Sequence, residues 1–160
     1  MSEETQRLRI TRTFDAPRDL VWRAWTDPKY VAQWWGPKGF TIPVYKMDFR
    51  VSGRFHYCMK TPDGQEFWGG GEYHEIVPHE KIVFSMYFAD KDGNKVQPEE
   101  IGMEHKADEN AFDSVVFEDA GEGRTRVTYT GNETMADAIE SGQLEAMNQS
   151  FDKFSAVLRD

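Results

Sequence analysis

Four histidines, at positions 56, 74, 79 and 105, are the side chains best suited to proton transfer near neutral pH. His56 and His74 fall in neighbouring strand-like segments, and Glu72, two residues before His74, shares its face. A His–Glu pair beside a pocket can act as acid and base. Both histidines, however, fall opposite the face that carries Phe55 and Tyr57, the usual orientation of solvated side chains. His79 follows Pro78 in a turn, a surface setting. Glu104-His105, with Asp108 and Glu109, offers oxygen and nitrogen ligands, but the spacing fits no compact zinc pattern. That segment is acidic throughout and reads as a solvated loop. Cys58, the single cysteine, excludes an intramolecular disulfide and sits in an apolar run, the setting of a buried, inert thiol. Gly69-Gly70-Gly71 lies inside a strand pattern rather than before a helix, and no Ser or Cys occupies a nucleophile elbow. The residues therefore carry no signature of catalysis, of a metal or of an organic cofactor.

Aromatic side chains make a stronger case, for binding. The 160 residues include 11 Phe, 6 Tyr and 5 Trp, and rigid rings both fill cores and line shaped cavities. Phe55, Tyr57, Phe67, Tyr73, Phe84 and Met86 share one strand parity, and Met147 and Phe151 can face them from a C-terminal helix. Trp34 and Trp35, at the end of a short helix, are expected near the mouth of the resulting space. These ten residues are the candidate ligand-binding set, lining a mostly apolar site with few polar groups. A one-residue slip or a bulge at the glycines exchanges the two faces. It would bring Trp68, His56 and His74 inside instead.

The elements that must hold these rings follow from periodicity and punctuation. Leu8 to Phe14 reads as a first strand, ended by Asp15-Ala16-Pro17. Leu20, Val21, Ala24 and Trp25 recur at helical spacing. Asp27-Pro28 opens a second short helix as N-cap and first helical residue, and Gly36-Pro37 stops it. Strand patterns follow over Val44–Val51, Arg54–Met59, Phe67–Ile76 and Lys81–Ala89, with turns at Ser52-Gly53 and Pro62-Asp63-Gly64. Asp90 to Asn110 is a long polar connection of the length that suits a lid or binding loop. A last hairpin runs Ser114–Glu118, Gly121-Glu122-Gly123, Arg124–Thr130. Thr134 with Asp137 resembles a capping box, Gly142 interrupts, and Leu144, Met147, Phe151, Phe154 and Leu158 form the stripe of a long final helix. Strand runs without crossover helices imply an α+β domain with an antiparallel sheet of about six to seven strands and helices on one face.

The net charge of −9 carries no Lys/Arg cluster, which excludes nucleic acid and anionic membrane as favoured partners. No apolar stretch approaches a membrane span or a secretion signal, so membrane insertion is not expected and a cytoplasmic location follows by elimination. No linker or repeat divides residues 1–160, which read as one domain.

Several segments in fixed order resemble a known family. They are Phe14-Asp15-Ala16-Pro17, Val21-Trp22, Trp25-Thr26-Asp27-Pro28 and Trp34-Trp35-Gly36-Pro37. Val51-Ser52-Gly53-Arg54-Phe55, Pro62-Asp63-Gly64, Gly71 to Pro78 and Lys81 to Ser85 continue the match in register. Over roughly Arg7 to Leu158 the chain resembles the activator of Hsp90 ATPase homologue 1-like (AHSA1-like) family of the START/Bet v 1-like (SRPBCC) superfamily. The resemblance implies a helix-grip fold, a curved sheet wrapped on a long C-terminal helix, with an internal cavity. Two departures stand out: Ser52-Gly53 where members often carry two glycines, and Ala146-Met147 where they often carry Gly-Trp. Methionine adapts to irregular space, so the pocket is expected to differ from its relatives'. The expected function is binding of a hydrophobic small molecule. A chaperone-regulating interaction module and a cyclase- or hydrolase-like enzyme using His56, Glu72 or His74 are the alternatives. A homodimer through sheet edges or the long loop stays open.

Overall fold

The computed structural model describes residues 7–96, 112–135, 138–139 and 142–159. Seven strands form one antiparallel sheet in the order β1-β7-β6-β5-β4-β3-β2. They are β1 (Arg7–Phe14), β2 (Thr41–Met47), β3 (Arg54–Lys60), β4 (Glu66–Val77), β5 (Lys81–Phe88), β6 (Asp113–Gly121) and β7 (Arg124–Thr134). The helices α1 (Arg18–Thr26), α2 (Pro28–Trp34) and α3 (Gln143–Arg159) cover the inner face. β1 and β2 stand at opposite edges, so α1 and α2 carry the chain across the whole width of the sheet. This is the helix-grip arrangement expected from the sequence.

Local chemistry places the breaks. The Pro17 carbonyl starts α1 by accepting from Leu20 and Val21. Asp27 closes α1 through its backbone and opens α2 through its side chain, which accepts from the Lys29 N–H at 2.9 Å, with Pro28 beside it. The Gly121-Glu122-Gly123 turn takes positive φ at all three residues, which explains its composition. β2 begins earlier than the apolar pattern suggests because Thr41 pairs with Lys60, and it ends at Met47 because Asp48 to Gly53 folds into a tight turn. Thr134 pairs with Arg7 at the end of β7, and Met135, Ala138 and Ile139 are helical, so a short helical lead-in precedes the turn at Gly142 as expected; Asp137 lies outside the described residues. Of the long connection, 90–96 form a turn bridged at Ala89 and Lys95; the remainder lies outside the described residues.

The three glycines do not mark a bulge. β3 and β4 pair without interruption from Arg54↔Glu72 to Lys60↔Glu66, and the register breaks further on, between Tyr73 and Glu75. Gly69 and Gly71 instead carry the rings of their β3 partners. A Cβ on Gly69 would lie 2.7 Å from the Tyr57 hydroxyl, and one on Gly71 would lie 2.4 Å from the Phe55 ring. It would also stand 2.0 Å from the Ser85 carbonyl oxygen, a measure of how sharply the sheet bends there.

α3 buries its stripe in the concavity. Phe154 meets Phe14 and Trp34 edge-on, each at 4.7 Å between centroids, and Trp25 meets Trp34 at 4.7 Å. Met147, Phe151 and Phe154 are all buried, and Leu144 and Leu158 pack at the flanks of the stripe.

Gly71→Ala is expected to destabilise the fold by about 3 kcal/mol or more, because a backbone carbonyl has nowhere to move. Gly69→Ala meets only the movable Tyr57 ring and should cost less. Urea unfolding of the two variants checks the order.

Candidate functional site

The interior space lies between α1, α2 and the β2–β5 half of the sheet. It is bordered by Trp25, Val31, Trp35, Tyr45, Phe55, Tyr73, Ile82 and Phe84. Its volume of about 20 Å³ is room for a single water. Six of these eight residues are aromatic, and no Lys, Arg, His, Asp or Glu stands among them.

Each wall has a local cause. The α1 and α2 periodicity turns Trp25 and Val31 inward, and Trp35 follows as the C-cap of α2. Pairing of Tyr45 with Tyr57 and of Phe84 with Tyr73 puts these rings on one side of the sheet. Tyr45 stacks on Tyr57 at 5.7 Å, and Phe55 lies 5.2 Å from Tyr73. The irregularity between Tyr73 and Glu75 shifts parity by one, so that Ile76 pairs with Ile82 and both pack inward.

Polar atoms occur within this apolar wall. Burial raises the Tyr57 hydroxyl to about 12, with the Trp35 indole tempering the rise and the Asp113 charge adding to it. Burial also raises Tyr73, and it raises Tyr45 well above the ordinary value, with Tyr73 and Tyr57 contributing. Behind this group Tyr129 donates to the buried Asp113 carboxylate. Trp25, Trp34 and Trp35 differ: the Trp34 indole N–H donates to the Ala24 carbonyl at 2.9 Å. The buried N–H groups of Trp25 and Trp35 have no acceptor in hydrogen-bonding geometry among the described residues.

Lys153 of α3 reaches over the end of α2. Its ammonium lies 3.2–3.4 Å from the carbonyl oxygens of Trp35, Gly36, Pro37 and Phe40, and burial lowers its pKa. It fixes the loop that carries Trp35 to the C-terminal helix, at the point where free carbonyls of a helix end favour a cation.

Of the candidate binding residues, Trp35, Phe55, Tyr73 and Phe84 border the space. Tyr57 stands one layer behind, against Tyr45 and Trp35. Trp34 is fully buried within the ring cluster rather than at a mouth, and Phe151 packs with Trp25, Trp34 and Tyr129. Met147 is buried and Met86 half-buried. Phe67 keeps the inner parity but is 41% exposed, beyond the cover of the helices. Trp25, Val31, Tyr45 and Ile82 were absent from the sequence-derived set. Extending the Phe55/Tyr57 parity onto β2 would have found Tyr45.

The candidate acid–base groups His56, Glu72 and His74 lie on the outer face. His56 stacks on Trp68 at 5.0 Å, and its Nε2 lies 2.9 Å from the Asp90 carbonyl oxygen. His74 Nε2 lies 2.9 Å from Ser85 Oγ, and its Nδ1 is 3.7 Å from Glu72, with Phe112 stacked on the ring at 4.2 Å. A Ser–His–Glu order can move a proton, but acyl chemistry also needs donors for an oxyanion, and the strand N–H groups beside Ser85 belong to the ladder. His56 and His74 hold separate partners and do not form one centre. His79 sits in its turn at positive φ, 3.2 Å from Asp19. Cys58 is buried, and burial raises its thiol pKa, which keeps it protonated. Among the described residues no group of three His, Cys, Asp or Glu side chains could hold a metal ion. Glu104, His105, Asp108 and Glu109 lie outside those residues. No described helix is long and apolar enough to cross a membrane.

Comparison with known proteins agrees with this architecture. The model of the family described as activator of Hsp90 ATPase homolog 1-like protein matches residues 15–159. No curated protein matches the chain. A crystal structure of a Mycobacterium smegmatis protein is 27% identical, with a TM-score of 0.77, covering 98% of this chain and 93% of the other. A solution structure from Arthrobacter aurescens is 26% identical, with a TM-score of 0.74, covering 99% and 89%. The AHSA1 protein of Silicibacter pomeroyi shares the fold at 22% identity and a TM-score of 0.69, covering 95% and 96%.

The raised tyrosines make alkaline stability a readout of the site. In the unfolded chain tyrosine ionises near pH 10, whereas folded Tyr57 holds its proton to about 12. Stability is therefore complete below pH 10 and falls as pH rises towards 12. For Tyr57 alone the loss is about 3 kcal/mol. Tyr57→Phe should flatten the urea-midpoint profile between pH 10 and 12 by roughly that amount.

Proposed function

The chain belongs to the activator of Hsp90 ATPase homolog 1-like family, and from that premise we propose that it binds a hydrophobic small molecule between the sheet and the helices. The supporting observation is the wall itself: six aromatic residues, with Val31 and Ile82, turn inward around unfilled space in a fold built to enclose it. A guest larger than water must open this space, and β2 is the wall that can yield. It is an edge strand, its pairing is irregular between Thr41 and Val44, and Pro43 has no N–H to give to a ladder. Tyr45, which it carries, is only half-buried, while Trp25, Trp35, Phe55 and Phe84 are buried. Binding is thus coupled to a swing of Tyr45 and its strand. The surrounding cluster of Phe14, Trp34 and Phe154 stays in place.

A chaperone-regulating role, which the family description suggests, makes a different demand: a chaperone ATPase whose rate responds to the added chain. The cavity makes its own. The neutral fluorophore N-phenyl-1-naphthylamine should brighten saturably with the wild-type protein. Val31→Phe and Ile82→Phe, which fill the space from opposite walls, should each weaken that binding about tenfold while costing roughly 1–3 kcal/mol of stability. Undiminished binding in both folded variants places the probe elsewhere and removes the support for an internal site.

A further inference from the structure

Resting on the cavity binding just proposed, we infer that the guest is a neutral aromatic molecule carrying a hydrogen-bond acceptor, received by the indole N–H of Trp25 with that of Trp35 beside it. Trp25, Trp34 and Trp35, which neighbour one another, make the contrast. Trp34 does not border the space, and its N–H is bonded to the Ala24 carbonyl, so its polar atom is spent on the fold. Trp25 and Trp35 do border it, each is only 7% exposed, and their N–H groups meet no protein acceptor among the described residues. A buried donor without an acceptor is costly, and one beside a ligand space selects for a guest that supplies the acceptor. The Trp35 indole lies close enough to the Tyr57 hydroxyl to ease its ionisation, so of the two Trp25 has the greater need of an acceptor.

The rest of the wall fixes the remaining chemistry. The rings of Trp25, Trp35, Tyr45, Phe55, Tyr73 and Phe84 offer faces and edges that suit a flat aromatic body. No cation lines the space to neutralise a carboxylate or phosphate. The burial that keeps the three tyrosines protonated acts equally against an anionic guest. A ketone, ester or ether oxygen meets both conditions; a hydrocarbon leaves the indole unpaired, and an acid brings an uncompensated charge.

Equilibrium dialysis with three naphthalenes of similar shape tests this: 2-acetylnaphthalene, 2-isopropenylnaphthalene, in which CH2 replaces the carbonyl oxygen, and 2-naphthoate. The wild-type protein should bind the ketone about tenfold tighter than the hydrocarbon, the size of one well-formed hydrogen bond in a dry site. It should bind naphthoate weakest. Trp25→Phe should bring the ketone-to-hydrocarbon ratio close to one; if that variant does not fold, Trp35→Phe should lower the ratio instead. Equal binding of ketone and hydrocarbon, or a ratio untouched by substitution, overturns the acceptor preference and leaves the cavity standing. Failure of all three to bind overturns the cavity as well.

Discussion

The rings of Phe55 and Tyr57 lie on bare backbone at Gly71 and Gly69, and the rest of the structure depends on that contact. A side chain at either glycine would hold the rings off the sheet, and at Gly71 it would collide with the Ser85 carbonyl across the bend. Without Cβ atoms β4 can curl between β3 and β5, and the sheet becomes concave enough to take helices inside. The concavity then sets what the helices must supply. Trp25 and Trp34 from α1 and α2, and Phe151 and Phe154 from α3, are large enough to fill it. Rigid rings packed edge to face leave gaps that flexible chains would close, and the space beside Trp25 and Tyr45 is such a gap.

Much of this fold was legible because single residues have few alternatives. Asp27-Pro28 can hardly do anything but end one helix and begin another, and the Gly121-Glu122-Gly123 turn needs three left-handed residues. The stripe from Leu144 to Leu158 likewise has one reading, whereas the alternation at Phe55 and Tyr57 marks a strand without deciding which face turns inward. What stayed hidden was set by partners distant in sequence. Glycines in a strand mark either a bulge or a close approach, and only the β3 rings decide between them. The irregularity lies next to His74, where no local signal announces it.

The site was half legible for the same reason. Phe55, Tyr73 and Phe84 follow from strand parity alone, and Trp35 from its place at the end of α2. Trp25 and Val31 follow only once α1 and α2 are laid against the sheet, and Phe67 has the right parity in a place the helices do not reach. Apolar periodicity also cannot separate a tryptophan whose N–H is bonded within the fold, as in Trp34, from one whose N–H is not, as in Trp25. The titratable pairs that drew attention in the sequence sit on the convex face, each tied to its own partners. The core and the residues around the small space are thus one aromatic set, divided by a few hydrogen bonds.

The five tryptophans give a direct measurement, because each contributes one indole N–H signal to a ¹H–¹⁵N NMR spectrum and they differ in surroundings. Titration with N-phenyl-1-naphthylamine should move the Trp25 and Trp35 signals and leave Trp34, held by the Ala24 carbonyl, and Trp68, stacked on His56, largely in place. Shifts confined to Trp68 would place the probe on the outer face and show that the interior of this protein is packing alone.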